Sequence, residues 1–232
     1  MKTIGILGGM GPEATSDFFA KLLSLDKAAR DQDHVHVIIE CDPSIPDRTA
    51  YILGAGPDPI PAMLASARRL EAAGADIVGI TCMTAHSFLP RLRELSKLRF
   101  VSAFETMAAA MRDRYPEVRS LGILATAGSK KARLYESHFP AYSVLWPDDE
   151  AQSKLVMEAI YGGNGIKAGN RGEYPKSLLR EAAALLASRG ADAIVAGCTE
   201  VPLVLSQDDF DIPFVDPMAL LAKELISAAK GA

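Results

Sequence analysis

Cysteine is scarce in this chain of 232 residues: Cys41, Cys82 and Cys198 are the full set of 3. They are too few and too far apart for a disulfide framework or a zinc site. Positive charge is not in surplus either. Lys and Arg number 25 against 29 Asp and Glu, giving a net charge of −4. Nothing basic is left over to neutralise a phosphate backbone, so nucleic acid is not an expected partner. No apolar run approaches the roughly 20 residues that span a bilayer, so no membrane partner is expected. The opening Met1-Lys2-Thr3-Ile4-Gly5-Ile6-Leu7 enters a strand-like run directly, without a cleavable secretion signal. Low-complexity tracts are missing. Together these absences point to a reduced compartment, the cytoplasm.

What remains is ordinary globular material, 49% apolar and 23% charged. A chain of this length buries roughly 70–75% of its unfolded surface and needs no metal or disulfide to hold a core. Against a typical domain of about 100–200 residues it makes one large domain or two small ones. Short apolar runs such as Thr3–Leu7, Val35–Ile39, Asp76–Ile80, Leu121–Leu124 and Ala193–Ala196 alternate with stretches of helical period. That alternation is the pattern of a parallel sheet covered by helices. Segment 50–61, rich in proline and glycine, reads as a loop.

The division into two comes from an internal echo. Gly74-Ala75-Asp76-Ile77-Val78-Gly79-Ile80-Thr81-Cys82 matches Gly190-Ala191-Asp192-Ala193-Ile194-Val195-Ala196-Gly197-Cys198, and Ile4-Gly5-Ile6-Leu7 matches Leu121-Gly122-Ile123-Leu124. Both pairs are separated by about 116 residues, half the chain, which argues for two similar halves. The expected fold class is α/β: two pseudo-symmetric domains, each a mostly parallel sheet flanked by helices. Residues 1–100 with 210–232 would form the first, carrying Cys82, and 101–209 the second, carrying Cys198.

Each half thus ends a buried strand in a cysteine and then starts a helix. Thr84 and Thr199 are positioned to cap those helices, and Pro202 suits a first turn. A thiol at a helix N-terminus feels its positive end, which favours thiolate. A single buried cysteine is ordinarily a small hydrophobe; equivalent placement in both halves changes that reading, and Cys41, without a counterpart, is taken as structural. Two thiols facing one carbon can take a proton from one face and return one to the other. Such chemistry inverts a stereocentre.

Several motifs carry a resemblance. Gly8-Gly9-Met10-Gly11-Pro12, Ile45-Pro46-Asp47-Arg48-Thr49, Cys82-Met83-Thr84-Ala85-His86, Gly197-Cys198-Thr199-Glu200 and Ile212-Pro213-Phe214-Val215-Asp216-Pro217-Met218 together resemble the aspartate/glutamate racemase family, its aspartate-specific members most closely, from end to end. The resemblance implies a cofactor-independent, PLP-free racemase acting on a small acidic amino acid, with Cys82 and Cys198 as the two bases. It also implies an active site between the domains and a homodimer.

Around those bases, Arg48 is the candidate for the substrate's distal carboxylate, because a guanidinium grips a carboxylate through two parallel bonds. Lys167 matches the position of a second cation for the same group, in a glycine-rich segment, 162–170, that reads as a mobile lid. Gly9 and Met10 lie in a glycine turn. It lacks dinucleotide-binding spacing and instead lets backbone N–H groups approach a small carboxylate. Thr126 and Thr199 offer hydroxyl donors. His86 and Glu200 are supporting residues, His86 either orienting Cys82, acting as a base, or merely packing. His34 and His36 have no third metal-ligand partner and are taken as solvent-facing.

Two departures from the family pattern stand out. The residue after the first cysteine is normally Asn and is here Met83, whose thioether cannot replace an amide's donors. Backbone N–H groups of Met83, Thr84 and Ala85 would then carry the load, or the substrate differs. In Glu40-Cys41-Asp42-Pro43 the family usually has Asn before Pro; either both acids turn away from the substrate or the ligand is not plain aspartate. Isomerisation of another small dianion (glutamate, maleate, a sulfonate analogue of aspartate) stays open on these grounds, as does a non-catalytic metabolite-binding role.

Overall fold

The computed structural model describes residues 1–231, leaving Ala232 outside the described residues. The chain divides into two compact units, Met1–Met107 with Met218–Ala232, and Ala108–Pro217.

In the first unit, strand β1 (Ile4–Gly8) is buried along its whole length, and helix α1 (Pro12–Leu25) starts on a proline that has no N–H to leave unmatched. Strand β2 (Val37–Cys41) is followed by α2 (Arg48–Ile52) and α3 (Ile60–Ala72). Then come β3 (Ile77–Ile80), α4 (Leu89–Leu95), β4 (Arg99–Val101) and α5 (Ala103–Arg114), the helix that carries the chain out of this unit. The strands pair in the order β2-β1-β3-β4, all parallel. The second unit repeats the plan. Strands β5 (Ser120–Leu124), β6 (Ser143–Leu145), β7 (Ala193–Ala196) and β8 (Phe214–Val215) pair in parallel in the matching order β6-β5-β7-β8. Its helices are α6 (Ala127–Lys131), α7 (Leu134–His138), α8 (Asp149–Ala151), α9 (Glu158–Tyr161) and α10 (Glu173–Ser188). Helix α11 (Pro217–Lys230) returns to the first unit and packs on β3, where a side chain on Gly79 would meet Leu225 at 2.7 Å.

The repeated Gly-Ala-Asp has a physical reason in each unit. Gly74 and Gly190 take left-handed φ of 93° and 90°, closing α3 and α10. Gly74 N–H donates to Glu71 O and Ala75 N–H to Leu70 O; Gly190 and Ala191 do the same to Ala187 and Leu186. The alanine then seats against a strand glycine. A Cβ on Gly5 would lie 2.9 Å from that of Ala75, and one on Gly122 3.0 Å from that of Ala191. The aspartates accept from the start of the first strand of each sheet, Asp76 from Thr3 N at 2.7 Å and Asp192 from Ser120 N at 2.9 Å. Each unit buries its own core, one around Leu7, Met63, Leu70, Val78, Ile80 and Phe100, the other around Leu124, Ile160, Leu179, Leu186 and Ile194.

Local differences from the sequence reading have local causes. The second strand is Val37–Cys41 rather than Val35–Ile39, since the Val35 N–H is taken by the buried Asp26 carboxylate at 2.8 Å. The 50–61 loop shrinks because α2 reaches Ile52, begun by Asp47 accepting from Ala50 N, and α3 begins at Ile60. Phe214–Val215 falls in the second unit, not the first, because it extends that sheet beside β7. Residues 101–107 fall in the first, where Glu105 pairs with Arg93 at 2.8 Å.

Candidate active site

Cys82 lies just past β3 and is buried, as are Met83, Thr84, Ala85 and His86 behind it. The turn it opens is a 3-10 helix, Thr84–Phe88, with Met83 at the N-cap position and no side-chain cap, so Thr84 does not cap it as expected. Among the described residues no hydrogen bond reaches the Cys82 sulfur. His86 does more than pack. Its Nδ1 lies 2.9 Å from Cys82 O, and its Nε2 accepts from Ala103 N–H at 3.1 Å.

The glycine turn after β1 is differently used from what its sequence suggests. Gly9 has φ 90°, and a side chain there would strike the Asp42 backbone at 2.3 Å. Its N–H donates to Thr15 Oγ1 at 2.9 Å rather than facing outward, and Thr15 in turn meets Thr81 Oγ1 at 3.0 Å. Met10 is buried, and its carbonyl accepts from Arg48 Nη2 at 2.9 Å. Arg48 Nη1 donates to Ile45 O at 3.0 Å and Pro46 O at 2.8 Å. This buried guanidinium therefore stitches the 45–48 loop to the 8–11 turn.

The acids of the Glu40-Cys41-Asp42 departure are met by one cation: Arg69 on α3 donates to Glu40 Oε1 at 2.7 Å and to Asp42 Oδ2 at 2.8 Å. Cys41, taken as structural, is exposed, at the end of a strand that pairs on one side only. Of the two histidines read as solvent-facing, His36 is exposed. His34 is half-buried, its Nδ1 3.0 Å from Asp26 Oδ2.

The second unit centres on Glu200. Cys198 lies just past β7, and its Sγ donates to Glu200 Oε2 at 2.8 Å. Thr199 Oγ1 donates to the same oxygen at 3.1 Å, so Thr199 serves this carboxylate and is not a helix cap; the following Val201–Leu203 turn is capped by no side chain. Lys167 Nζ reaches Glu200 Oε1 at 2.6 Å and stands 5.4 Å over the Tyr161 ring. Burial pushes the Cys198 thiol well above its ordinary pKa, and the Glu200 charge pushes further the same way; Lys167 opposes them. At Cys198 these effects outweigh the expected helix-terminus pull toward thiolate. A three-residue turn has little dipole to offer, and a carboxylate stands at hydrogen-bond distance.

Segment 162–170, read from the sequence as a mobile lid, is knitted down in this structure. Ile166 sits in the core, Asn170 Nδ2 donates to Asn164 O at 3.0 Å, and Lys167 holds Glu200 from a 3-10 turn. Thr126 caps α6, accepting from Ser129 N at 3.3 Å.

Sequence reasoning brought Glu200 in only as support and missed three neighbours of the second site. Tyr135, fully buried, donates from its hydroxyl to Gly197 O at 3.1 Å. Gln152 Nε2 donates to Ala125 O at 2.9 Å, and Met157 Sδ accepts from Ala127 N at 3.2 Å, both from a π-helical stretch, Gln152–Met157, between α8 and α9. A π-turn leaves no composition signal, and a lone helical tyrosine reads as core. Among the described residues no three His, Cys, Asp or Glu side chains are grouped to hold a metal ion, and no helix is long and apolar enough to cross a membrane.

Comparison with known proteins follows the same outline. Residues 7–225 match the model of a family described as Asp/Glu/Hydantoin racemase. The broad specificity amino-acid racemase RacX of Bacillus subtilis (strain 168) is 26% identical, over 97% of this chain and 96% of its own length. The structure of Picrophilus torridus aspartate racemase superposes with a TM-score of 0.82 at 28% identity, covering 99% of this chain and 95% of that one. An aspartate racemase homologue from Pyrococcus horikoshii OT3 shares the fold, with a TM-score of 0.76 at 22% identity over 99% and 100% of the two chains. The chain belongs to the Asp/Glu/Hydantoin racemase family of isomerases.

Proposed function

We propose that the protein interconverts the enantiomers of a small acidic amino acid, aspartate first, by proton transfer at Cα between Cys82 and Cys198. One thiolate removes the Cα proton and becomes a thiol. The other thiol delivers its proton to the opposite face and becomes a thiolate. When Cys198 is the donor, its buried thiol is already protonated. When it is the base, its proton passes first to Glu200 Oε2, 2.8 Å away, and Thr199 and Lys167 steady the carboxylate that receives it. Developing charge on the substrate carboxylate would be met by backbone donors of the turns after β3 and β7, each well-aimed donor contributing about 3 kcal/mol.

The observation that carries this reading is the equivalence of the two cysteines. Each stands two positions past the end of the third strand of its unit, beyond Ile80 and beyond Ala196, in sheets of identical strand order. The same reading places the substrate between the two units, needs no cofactor, and takes a cytoplasmic homodimer as the working form. Incubation with L- or D-aspartate in deuterated water, with nothing added, should yield the other enantiomer labelled at Cα; no inversion and no label across acidic amino acids would defeat it.

A second reading concerns breadth. Arg48 and Lys167, the two cations expected to hold a distal carboxylate, are bonded to protein groups, and Met83 presents a thioether where an amide is usual. These features favour tolerance of amino acids without a second carboxylate, in line with the broad specificity of the Bacillus relative. Comparable kcat/KM for alanine or homoserine and for aspartate would support it.

A further inference from the structure

The backbone that carries each cysteine is held by a buried ring, and the ring differs between the units. Past β3, the His86 imidazole spans two main-chain groups: Nδ1 faces Cys82 O at 2.9 Å, and Nε2 accepts from Ala103 N–H at 3.1 Å. These partners fix its protonation. A nitrogen accepting from an amide must carry a lone pair, and a nitrogen beside a carbonyl must carry the proton. His86 is therefore a neutral Nδ1–H imidazole with both nitrogens engaged, and it has no role as a base. It is buried, and the Phe104 ring meets it edge-on at 5.5 Å. Ala103 is the first residue of α5, so the imidazole ties the Cys82 carbonyl to an otherwise unmatched N–H at that helix start.

Past β7 the same task falls to Tyr135. Its hydroxyl donates at 3.1 Å to the carbonyl of Gly197, the residue before Cys198. The approach requires glycine: a Cβ on Gly197 would lie 2.6 Å from the tyrosine oxygen. The Tyr135 ring is itself fixed by Phe139 and Trp146, with centroids at 6.4 and 5.7 Å.

We propose that His86 and Tyr135 are paired positioning residues, each aiming one cysteine by clamping the carbonyl at or beside it, so that losing either ring impairs proton transfer on one face of the substrate only. This rests on the two-cysteine reading above. A displacement of about 1 Å at a reacting group costs on the order of 100-fold in rate, so a loss of about 10- to 100-fold is expected when either hydrogen-bonded clamp is removed.

Racemisation rates cannot separate the faces, because the equilibrium constant between enantiomers ties the two directions together. Elimination can. From each Cα enantiomer of 3-chloroaspartate a single base takes the Cα proton, the electron pair forms the Cα–Cβ double bond, and chloride leaves. The step is irreversible and needs only one cysteine. Cys82→Ala and Cys198→Ala first assign each enantiomer to its base. Then His86→Leu should slow chloride release from the Cys82-dependent enantiomer about 10- to 100-fold and leave the other within about 3-fold. His86→Asn, which keeps an amide donor for the Cys82 carbonyl, should recover part of that loss. Tyr135→Phe should do the reverse, sparing the Cys82-dependent enantiomer. The unaffected enantiomer in each sample reports that the variant is folded. Equal losses for both enantiomers, or no loss, would overturn the proposal. If the wild-type protein released chloride from neither enantiomer, the two-cysteine reading would fail first. The tautomer is independent of it: nitrogen-15 shifts of the His86 ring in the intact protein should show a protonated Nδ1 and an unprotonated Nε2, and a proton on Nε2 would overturn the clamp.

Discussion

The surroundings of the two cysteines differ more than the sheets that present them. Cys198 donates to Glu200 at 2.8 Å, with Thr199 and Lys167 on the same carboxylate. Cys82 has no side chain bonded to its sulfur among the described residues, and its turn is held through the main chain by His86. Strand order, the Gly-Ala-Asp closure and the position of the thiol were duplicated; the charges were not. Duplication supplied two equivalent positions, one in each unit. At the second thiol burial and the Glu200 charge raise the pKa and Lys167 opposes them, a balance with no counterpart bonded to the first. The mechanism proposed above needs one base and one acid at any instant, and unequal surroundings would provide a resting assignment.

The strongest challenge to that contrast is removal of either thiol. Cys82→Ala or Cys198→Ala should each cut racemisation by at least about 100- to 10,000-fold, measured by circular dichroism or chiral chromatography. Full activity in one variant would mean the pair is not the catalytic unit. Next is Glu200→Gln, which keeps shape and removes charge. Because the Glu200 charge raises the Cys198 pKa, its loss should move Cys198 alkylation, followed by mass spectrometry, to lower pH. Racemisation should fall about 10- to 100-fold as the acceptor is lost. Lys167→Met should shift the same alkylation profile the opposite way, to higher pH, since Lys167 lowers that pKa. If Lys167 instead holds a distal carboxylate, KM for aspartate will rise with the profile unmoved.

The smallest effect lies away from both thiols. Burial alone would raise the Asp209 carboxyl, but the Ser206 N–H, Lys176 and Arg180 outweigh it and hold it at about 2, below its ordinary 3.8. A depressed carboxylate stabilises the fold above its unfolded pKa, and that stability is lost as pH falls through the folded value. Asp209→Asn should therefore cost about 2 kcal/mol at pH 6. The difference from wild type in urea melts should shrink below pH 3.8 and disappear as the pH falls through about 2.

Much of this was legible in the residues because it depends on backbone rules. Gly74 and Gly190 mark helix ends that only a left-handed residue closes, and Ala75 and Ala191 match Gly5 and Gly122 in size. Repeats of that kind expose topology. Side-chain direction was less accessible. Gly9 looked like an anion-facing amide until Thr15, six residues on, took its N–H. Arg48 looked like a carboxylate grip, yet its donors meet Met10, Ile45 and Pro46 carbonyls, a contact set only the folded loop defines. Glu200, Tyr135 and Gln152 act across separations of 2, 62 and 27 residues, and the two longer ones leave no periodic trace.

The central claim, two opposed bases of unequal character, is tested most directly by where label sits at the start of the reaction. With one enantiomer of aspartate in deuterated water, sampled below about 10% conversion, the account predicts deuterium at Cα in nearly all of the product enantiomer. The recovered starting enantiomer should still carry protium, because the acid that labels the product is not the base that took the proton. Protium carried over into the product, or label appearing equally in both enantiomers from the first samples, would mean that one base serves both faces.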